Sequence, residues 1–296
     1  MYCAPERPDW EREGRDWPNR SASRFVDAGG LSWHVQEMGE GATILLIHGT
    51  GAATHSWRDV TPLLADRFNV VAVDLPGHGF TSHPPFWQLG LGDMAAAVDA
   101  LLTALGRAPE VVVGHSAGAA ILAKMVIDDR LSPRLLVSLN GAFLPYGGAM
   151  GPIASPLAKA LFMNPVMPRL FAWGTNRRGA ERMITGVGST IDPEGVELYT
   201  RLAKRPAHVG AALGMMASWD LASLKSQLPL VDVPVLLVVG EADEAVAPSE
   251  ADVVAKLLPH VRIQRLPGLG HLAHEEAPDV VVEVIVDAIE RLGSNP

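Results

Sequence analysis

The stretch VVVGHSAGAA, residues 111–120, constrains the fold of this chain more than any other. Val111 to Val113 are β-branched and suit a core strand with apolar neighbours on both faces. From Ala117 to Met125 the chain turns alanine-rich, with Leu122 among the alanines, and reads as a helix. Between the two stands Gly-His-Ser-Ala-Gly. A strand that passes into a helix so abruptly must turn sharply, and small residues at 114 and 118 permit the strained turn. That turn lifts the hydroxyl of Ser116 out of the sheet, toward solvent or a ligand.

Elsewhere short apolar runs alternate with longer amphipathic ones, which predicts a mostly parallel sheet with helices on both faces. Strands are expected at 43–47, 70–73, 111–114, 135–139, 234–239 and 261–266, and helices at 93–105, 249–258 and 277–292. An opening hairpin is expected from 24–27 and 31–36 around Gly29-Gly30. The rhythm breaks once, from about Tyr146 to Trp219. No strand pattern occurs there, prolines at 152, 156, 165 and 168 punctuate helical segments, and six of the ten methionines fall inside. This span reads as a helical cap, residues 146–219, inserted into a core of residues 23–145 and 220–296, with residues 1–22 as an N-terminal arm.

A serine hydroxyl is a poor nucleophile until a base takes its proton, and the base needs an acid to hold its tautomer. After a nucleophile elbow these partners follow in the order Ser, acid, His. VPVLLVVG is followed by EADEAVAP, which puts Asp243 just past a strand end, with Glu241 and Glu244 as alternatives. VRIQRLPG is followed by LGHLAHEEAP, which puts His271 in a glycine loop, with His274 as its competitor. Acyl transfer also needs donors for the oxyanion. LLIHGTGAATHSW supplies a turn after a strand, and the backbone N–H groups of Thr50 and Ala117 are the candidates. His48, His78 and His115, all beside glycines, read as structural hydrogen-bonding groups.

Composition removes other classes. A net charge of −9 argues against nucleic acid as the main partner. No apolar run reaches the roughly 18 residues of a membrane span. MYCAPERPDWEREGRDWPNR lacks the apolar core of a signal peptide, and Cys3, the only cysteine, cannot form an intrachain disulfide. A cytoplasmic protein is expected. Histidines and carboxylates show no metal spacing such as His-Glu-x-x-His, so no metal or cofactor is expected.

Taken in order, HGTG, DLPGHG, GHSAG, GEAD and GHLAHEEAP resemble the α/β-hydrolase superfamily over about residues 40–280. The resemblance implies the α/β-hydrolase fold and places the acid at Asp243, the fourth residue of Gly-x-x-Asp. More narrowly, DWPNRSASRFVDAGGLSWHVQ with HGTGAATHSWRDV and DLPGHGFT resembles the magnesium-chelatase accessory proteins of bacteriochlorophyll gene clusters. This implies a pigment (tetrapyrrole) pathway context and does not itself supply a substrate; a contact with magnesium chelatase is left open. Epoxide and haloalkane hydrolases need a carboxylate where Ser116 stands, so those chemistries are not expected.

The cap carries the specificity information. Its methionines and aromatic residues fill irregular space, and a minority should roof a pocket for a bulky apolar ester. Phe143, Met150, Phe162, Trp173 and Met215 are the candidate substrate-binding residues. Two functions fit: a Ser-His-Asp serine hydrolase, and a non-catalytic accessory that holds a porphyrin intermediate in the same pocket.

Overall fold

A computed structural model describes residues 7–145, 164 and 166–293. Eight strands form one sheet: β1 Ser23–Ala28, β2 Leu31–Met38, β3 Thr43–Ile47, β4 Asn69–Val73, β5 Val111–His115, β6 Leu135–Leu139, β7 Val235–Gly240 and β8 Val261–Leu266. Their order is β1-β2-β4-β3-β5-β6-β7-β8. The opening hairpin is antiparallel and β2 joins β4 antiparallel, while every pair from β4 to β8 is parallel. The α/β-hydrolase architecture expected from the sequence is the one observed.

The central strands have apolar side chains on both faces because both faces are covered. Along β3, Ile44 and Leu46 join one core while Leu45 and Ile47 join the other, and β4 divides Val70 and Ala72 from Val71 and Val73 in the same way. In chain order the helices are α1 Trp10–Glu13, α2 Val60–Ala65, α3 Leu91–Leu105, α4 Ala117–Ile127, α5 Met167–Gly174, α6 Arg177–Thr185, α7 Pro193–Ala203, α8 Pro206–Ser218, α9 Leu221–Gln227, α10 Glu250–Ala255, α11 Ala273–Glu276 and α12 Pro278–Gly293. Helices α3 and α4 cover one face, with Met94, Val98, Ile121 and Met125 buried there. Helices α2 and α12 cover the other, through Val60, Leu64, Val281 and Ile285.

Helices α5 to α8 all fall within the span read as an insertion, between β6 and β7 in the chain. The N-terminal arm packs on the body: Trp17 is buried and its indole N–H donates to Thr54 Oγ1 at 3.0 Å. Among the described residues, no helix is long and apolar enough to cross a membrane.

Candidate active site

Parallel register brings the ends of β3, β5, β6, β7 and β8 to one edge: Ile47 pairs with Gly114, His115 with Leu139, Leu139 with Val238, and Gly240 with Leu266. The loops leaving these ends carry the candidate catalytic groups. Ser116 joins β5 to α4 at φ 50° and ψ −115°, a conformation that disfavours any side chain with a Cβ. The flanking glycines are required by contact. A Cβ on Gly114 would lie 2.4 Å from the Ala119 nitrogen, and one on Gly118 would lie 2.2 Å from the Ile47 carbonyl oxygen. The joint is clamped from β6, since Ser116 N–H donates to the Leu139 carbonyl at 2.9 Å.

Asp243 and His271 meet. His271 Nδ1 lies 2.8 Å from Asp243 Oδ2, and both residues are buried. The other carboxylate oxygen of Asp243 accepts from the backbone N–H groups of Ala245 and Val246 at 2.7 and 2.9 Å. The carboxylate is therefore fixed by the turn that follows β7, and the imidazole is oriented by it. The alternatives do not share this geometry. Glu241 and Glu244 are exposed. His274 is buried against Trp57 and His115, neither ring nitrogen has a hydrogen-bond partner among the described residues, and burial lowers its pKa to about 3.

Thr50, Ser116, Ala117 and His271 border one cavity of about 530 Å³. The Ala117 N–H belongs to the first turn of α4, where helix N–H groups lack intrahelical partners and the helix dipole favours negative charge. The turn carrying Thr50 is held by histidines. His48 donates from Nδ1 to the Gly49 carbonyl at 2.7 Å and accepts from Leu75 N–H at Nε2. His208 of α8 donates from Nε2 to the Gly51 carbonyl at 3.0 Å and accepts the Gly79 N–H at Nδ1. Burial lowers the His208 pKa to about 4, in keeping with the neutral ring that this pattern requires. The Asp74 carboxylate anchors the neighbouring loop, taking Thr54 N–H at 2.7 Å and, with its second oxygen, Phe80 N–H and His34 Nδ1 at 2.8 Å.

Two residues that the sequence reading passed over complete the site. Asn140, at the end of β6 with φ 47°, donates from Nδ2 to the Gly270 and His271 carbonyls at 2.9 Å and accepts Gly240 N–H at 2.7 Å. It ties the acid-bearing loop to the histidine-bearing loop, and His115 Nε2 reinforces it on the same His271 carbonyl at 2.9 Å. Glu250, at the start of α10, also borders the cavity; burial and then the Asp243 charge raise its pKa. The only sequence signal for Asn140 is its place directly after a strand that ends at this edge.

The candidate substrate-binding residues fare differently. Phe143 and Met215 are buried in the core rather than on the cavity wall, and Trp173 stands 88% exposed to solvent. Each has a neighbour that does border the cavity: Ala142 and Leu144 beside Phe143, Met216 beside Met215, and Phe171 on the same helix as Trp173. Extended chain and helix both send adjacent side chains in different directions, which is the reason for the correction. Met150 and Phe162 lie outside the described residues. Met167, Phe171, Met183, Tyr199 and Met216 form the roof from α5, α6, α7 and α8.

A family model described as the alpha/beta hydrolase family matches residues 44–284. The chain belongs to this family. Within it the chain is 36% identical over 278 residues to the magnesium-chelatase 30 kDa subunit of Rhodobacter capsulatus, covering 93% of this chain and 97% of that one. It is 26% identical to 2-(acetamidomethylene)succinate hydrolase of Mesorhizobium japonicum, covering 90% and 95%. Among solved structures, a thermophilic esterase from Thermogutta terrifontis superposes with a TM-score of 0.72 at 25% identity, covering 91% of this chain and 98% of that one. These hydrolase-family relatives include both hydrolases and a chelatase subunit, so membership establishes the scaffold and leaves the activity to the residues.

Proposed function

We propose that this chain is a serine hydrolase acting on an ester with a bulky apolar group, with Ser116 as nucleophile, His271 as base and Asp243 as its orienting acid. The observation that carries the reading is the buried 2.8 Å contact between His271 Nδ1 and Asp243 Oδ2, on a histidine that borders the same cavity as the strained Ser116. In the proposed reaction His271 takes the Ser116 proton as Oγ attacks the ester carbonyl. The Thr50 and Ala117 N–H groups receive the oxyanion, and His271 protonates the departing alcohol. Water then releases the acid by the same route. The proposed reaction requires a hydrogen bond between Ser116 Oγ and His271 Nε2 in the substrate complex. The roof of methionine and aromatic side chains supports an apolar substrate over a sugar.

The 36% identity to a chelatase subunit favours a second reading. In it the chain is a cytoplasmic, non-catalytic accessory that holds a tetrapyrrole intermediate in this cavity, contacts magnesium chelatase and serves bacteriochlorophyll formation. The same context suits a tetrapyrrole ester as substrate in the first reading. A fluorophosphonate probe separates the two. Hydrolase chemistry predicts rapid labelling of the parent and none of Ser116→Ala. A parent that stays unlabelled, and turns over no p-nitrophenyl ester, would leave the accessory reading.

A further inference from the structure

The cap presents a surface that catalysis does not use. Val166, Leu170 and Trp173 recur at i, i+4 and i+7 on α5 and its N-terminal flank, so they share one face, and they are 53%, 53% and 88% exposed. The opposite face of the helix is accounted for, because Pro168 and Ala172 are buried. Large apolar side chains grouped so openly mark an interaction site. Two further residues connect this face with the interior. Phe171, next to Leu170 on the same helix, and Met183 are exposed and also border the cavity, so the cavity wall reaches accessible surface at these two side chains.

Charge identifies what the patch meets. Residues 166–186 contain four arginines, Arg169, Arg177, Arg178 and Arg182, against the single carboxylate Glu181, in a chain whose net charge is −9. Arg177, Arg178 and Arg182 lie exposed on α6, the helix that follows the patch and supplies Met183 to the cavity wall. An exposed tryptophan beside aliphatic side chains, followed within nine residues by three exposed arginines, is the composition of a segment that lies in the headgroup region of an anionic bilayer. A protein seated here would cover that part of the wall. A lipid surface would leave an apolar molecule a path from the acyl chains into the cavity without crossing water.

We propose that this face, with Leu170, Trp173 and Met183 as its apolar contacts and Arg177, Arg178 and Arg182 as its cationic ones, docks peripherally on an anionic phospholipid bilayer, with the cavity wall at Phe171 and Met183 turned toward the lipid. The proposal does not depend on Ser116 being a nucleophile, since the accessory reading needs the same route for an apolar ligand.

The test is cosedimentation of the full chain with vesicles of phosphatidylcholine alone or mixed with phosphatidylglycerol, at low and at high salt. The parent should bind the mixed vesicles at low salt and be released at high salt. The variant carrying Arg177→Gln, Arg178→Gln and Arg182→Gln should bind them at least about tenfold more weakly, with unchanged melting and unchanged turnover of a soluble short ester. Trp173→Ser should weaken binding separately, and brominated lipid should quench parent fluorescence more than that of Trp173→Phe. Failure of the parent to bind mixed vesicles at low salt would overturn the proposal, as would parent-like binding by the arginine variant. Concentration-dependent dimerisation of the parent in gel filtration, lost in Trp173→Ser, would also overturn it by assigning the face to a second copy.

Discussion

At Ser116 the chain holds a non-glycine residue at φ 50°, a conformation that costs about 1–3 kcal/mol. Ser116→Ala keeps the Cβ and therefore keeps the strain, so the proposed nucleophile should be lost with little change in melting temperature. Ser116→Gly should be equally inactive yet more stable than the alanine variant by about 1 kcal/mol, which urea unfolding would measure. Equal stability of the two would mean that the elbow is not strained. Asn140 makes a sharper test of the site's assembly, because its three hydrogen bonds hold the loops of Asp243 and His271 together. Asn140→Ala should lower kcat about tenfold or more, with a smaller change in KM, and cost about 2–4 kcal/mol, since a backbone N–H and a carbonyl lose a buried partner. A variant that is destabilised but keeps its kcat would reduce Asn140 to a purely structural brace. Ser116, Asp243 and His271 are readable because each sits in a recognisable local motif after a strand, GHSAG, GEAD and GHLAH. Asn140 was not readable, because its partners are backbone atoms 100 to 131 positions away and no local pattern reports them.

Elements divide by how much of their environment they carry with them. Strands β3 and β6 have the expected bounds because an apolar run buried on both faces ends where burial ends, and β8 has them because its apolar residues alternate with the exposed Arg262 and Gln264 up to the buried Leu266. The α10 helix is shorter than the expected 249–258, since turns at both ends take part of that amphipathic pattern. In the cap, composition suggests a methionine-rich and aromatic roof but not which side chains face inward. Met215 is buried in the core while Met216 faces the cavity, and only the rotation of α8 against its neighbours decides between them. Helices α5 to α8 reach the body through apolar packing, with Leu198 and Leu202 clustered with Ala53 and Phe80 and with Ile184 and Val196 clustered with Leu272, and through polar ties such as His208 to Gly51 and Tyr199 to Glu275. We expect this cap to act as a lid that opens and closes over the cavity. A long-chain phosphonate should then slow amide exchange across α5–α8, and kcat/KM should rise about three- to fourfold per added methylene until the cavity is full. Unchanged exchange together with a flat chain-length profile would make the cap a fixed roof.

Across the whole molecule, the most consistent electrostatic feature is a set of histidines buried in the neutral state. His48, His55, His78, His115, His208 and His274 are all buried, and burial lowers the pKa of each, to about 4 for His208 and about 3 for His274. An unfolded histidine titrates near 6.5, so between that value and the folded pKa the unfolded chain binds the additional proton. Stability from these groups is therefore fully present above about pH 6.5 and is lost as pH falls toward 4. His208 and His274 alone would remove on the order of 3 kcal/mol each over that range. A domain of this size has a total stability of about 5–15 kcal/mol, so acid unfolding should begin well above the carboxylate range. Urea unfolding at pH 7, 6 and 5 should show a steep fall, accompanied by net proton uptake. His274→Leu removes a ring with no hydrogen-bond partner for either nitrogen among the described residues, so it should shift the acid midpoint downward while leaving stability at pH 7 nearly unchanged. His208→Gln should flatten the same slope but loosen the turn that carries Thr50, lowering turnover at every pH. A pH profile of stability that is flat from 7 to 5 in the parent would mean that these rings are charged or exposed in the folded chain, and would remove the physical basis for treating His208 as a neutral brace of the oxyanion turn.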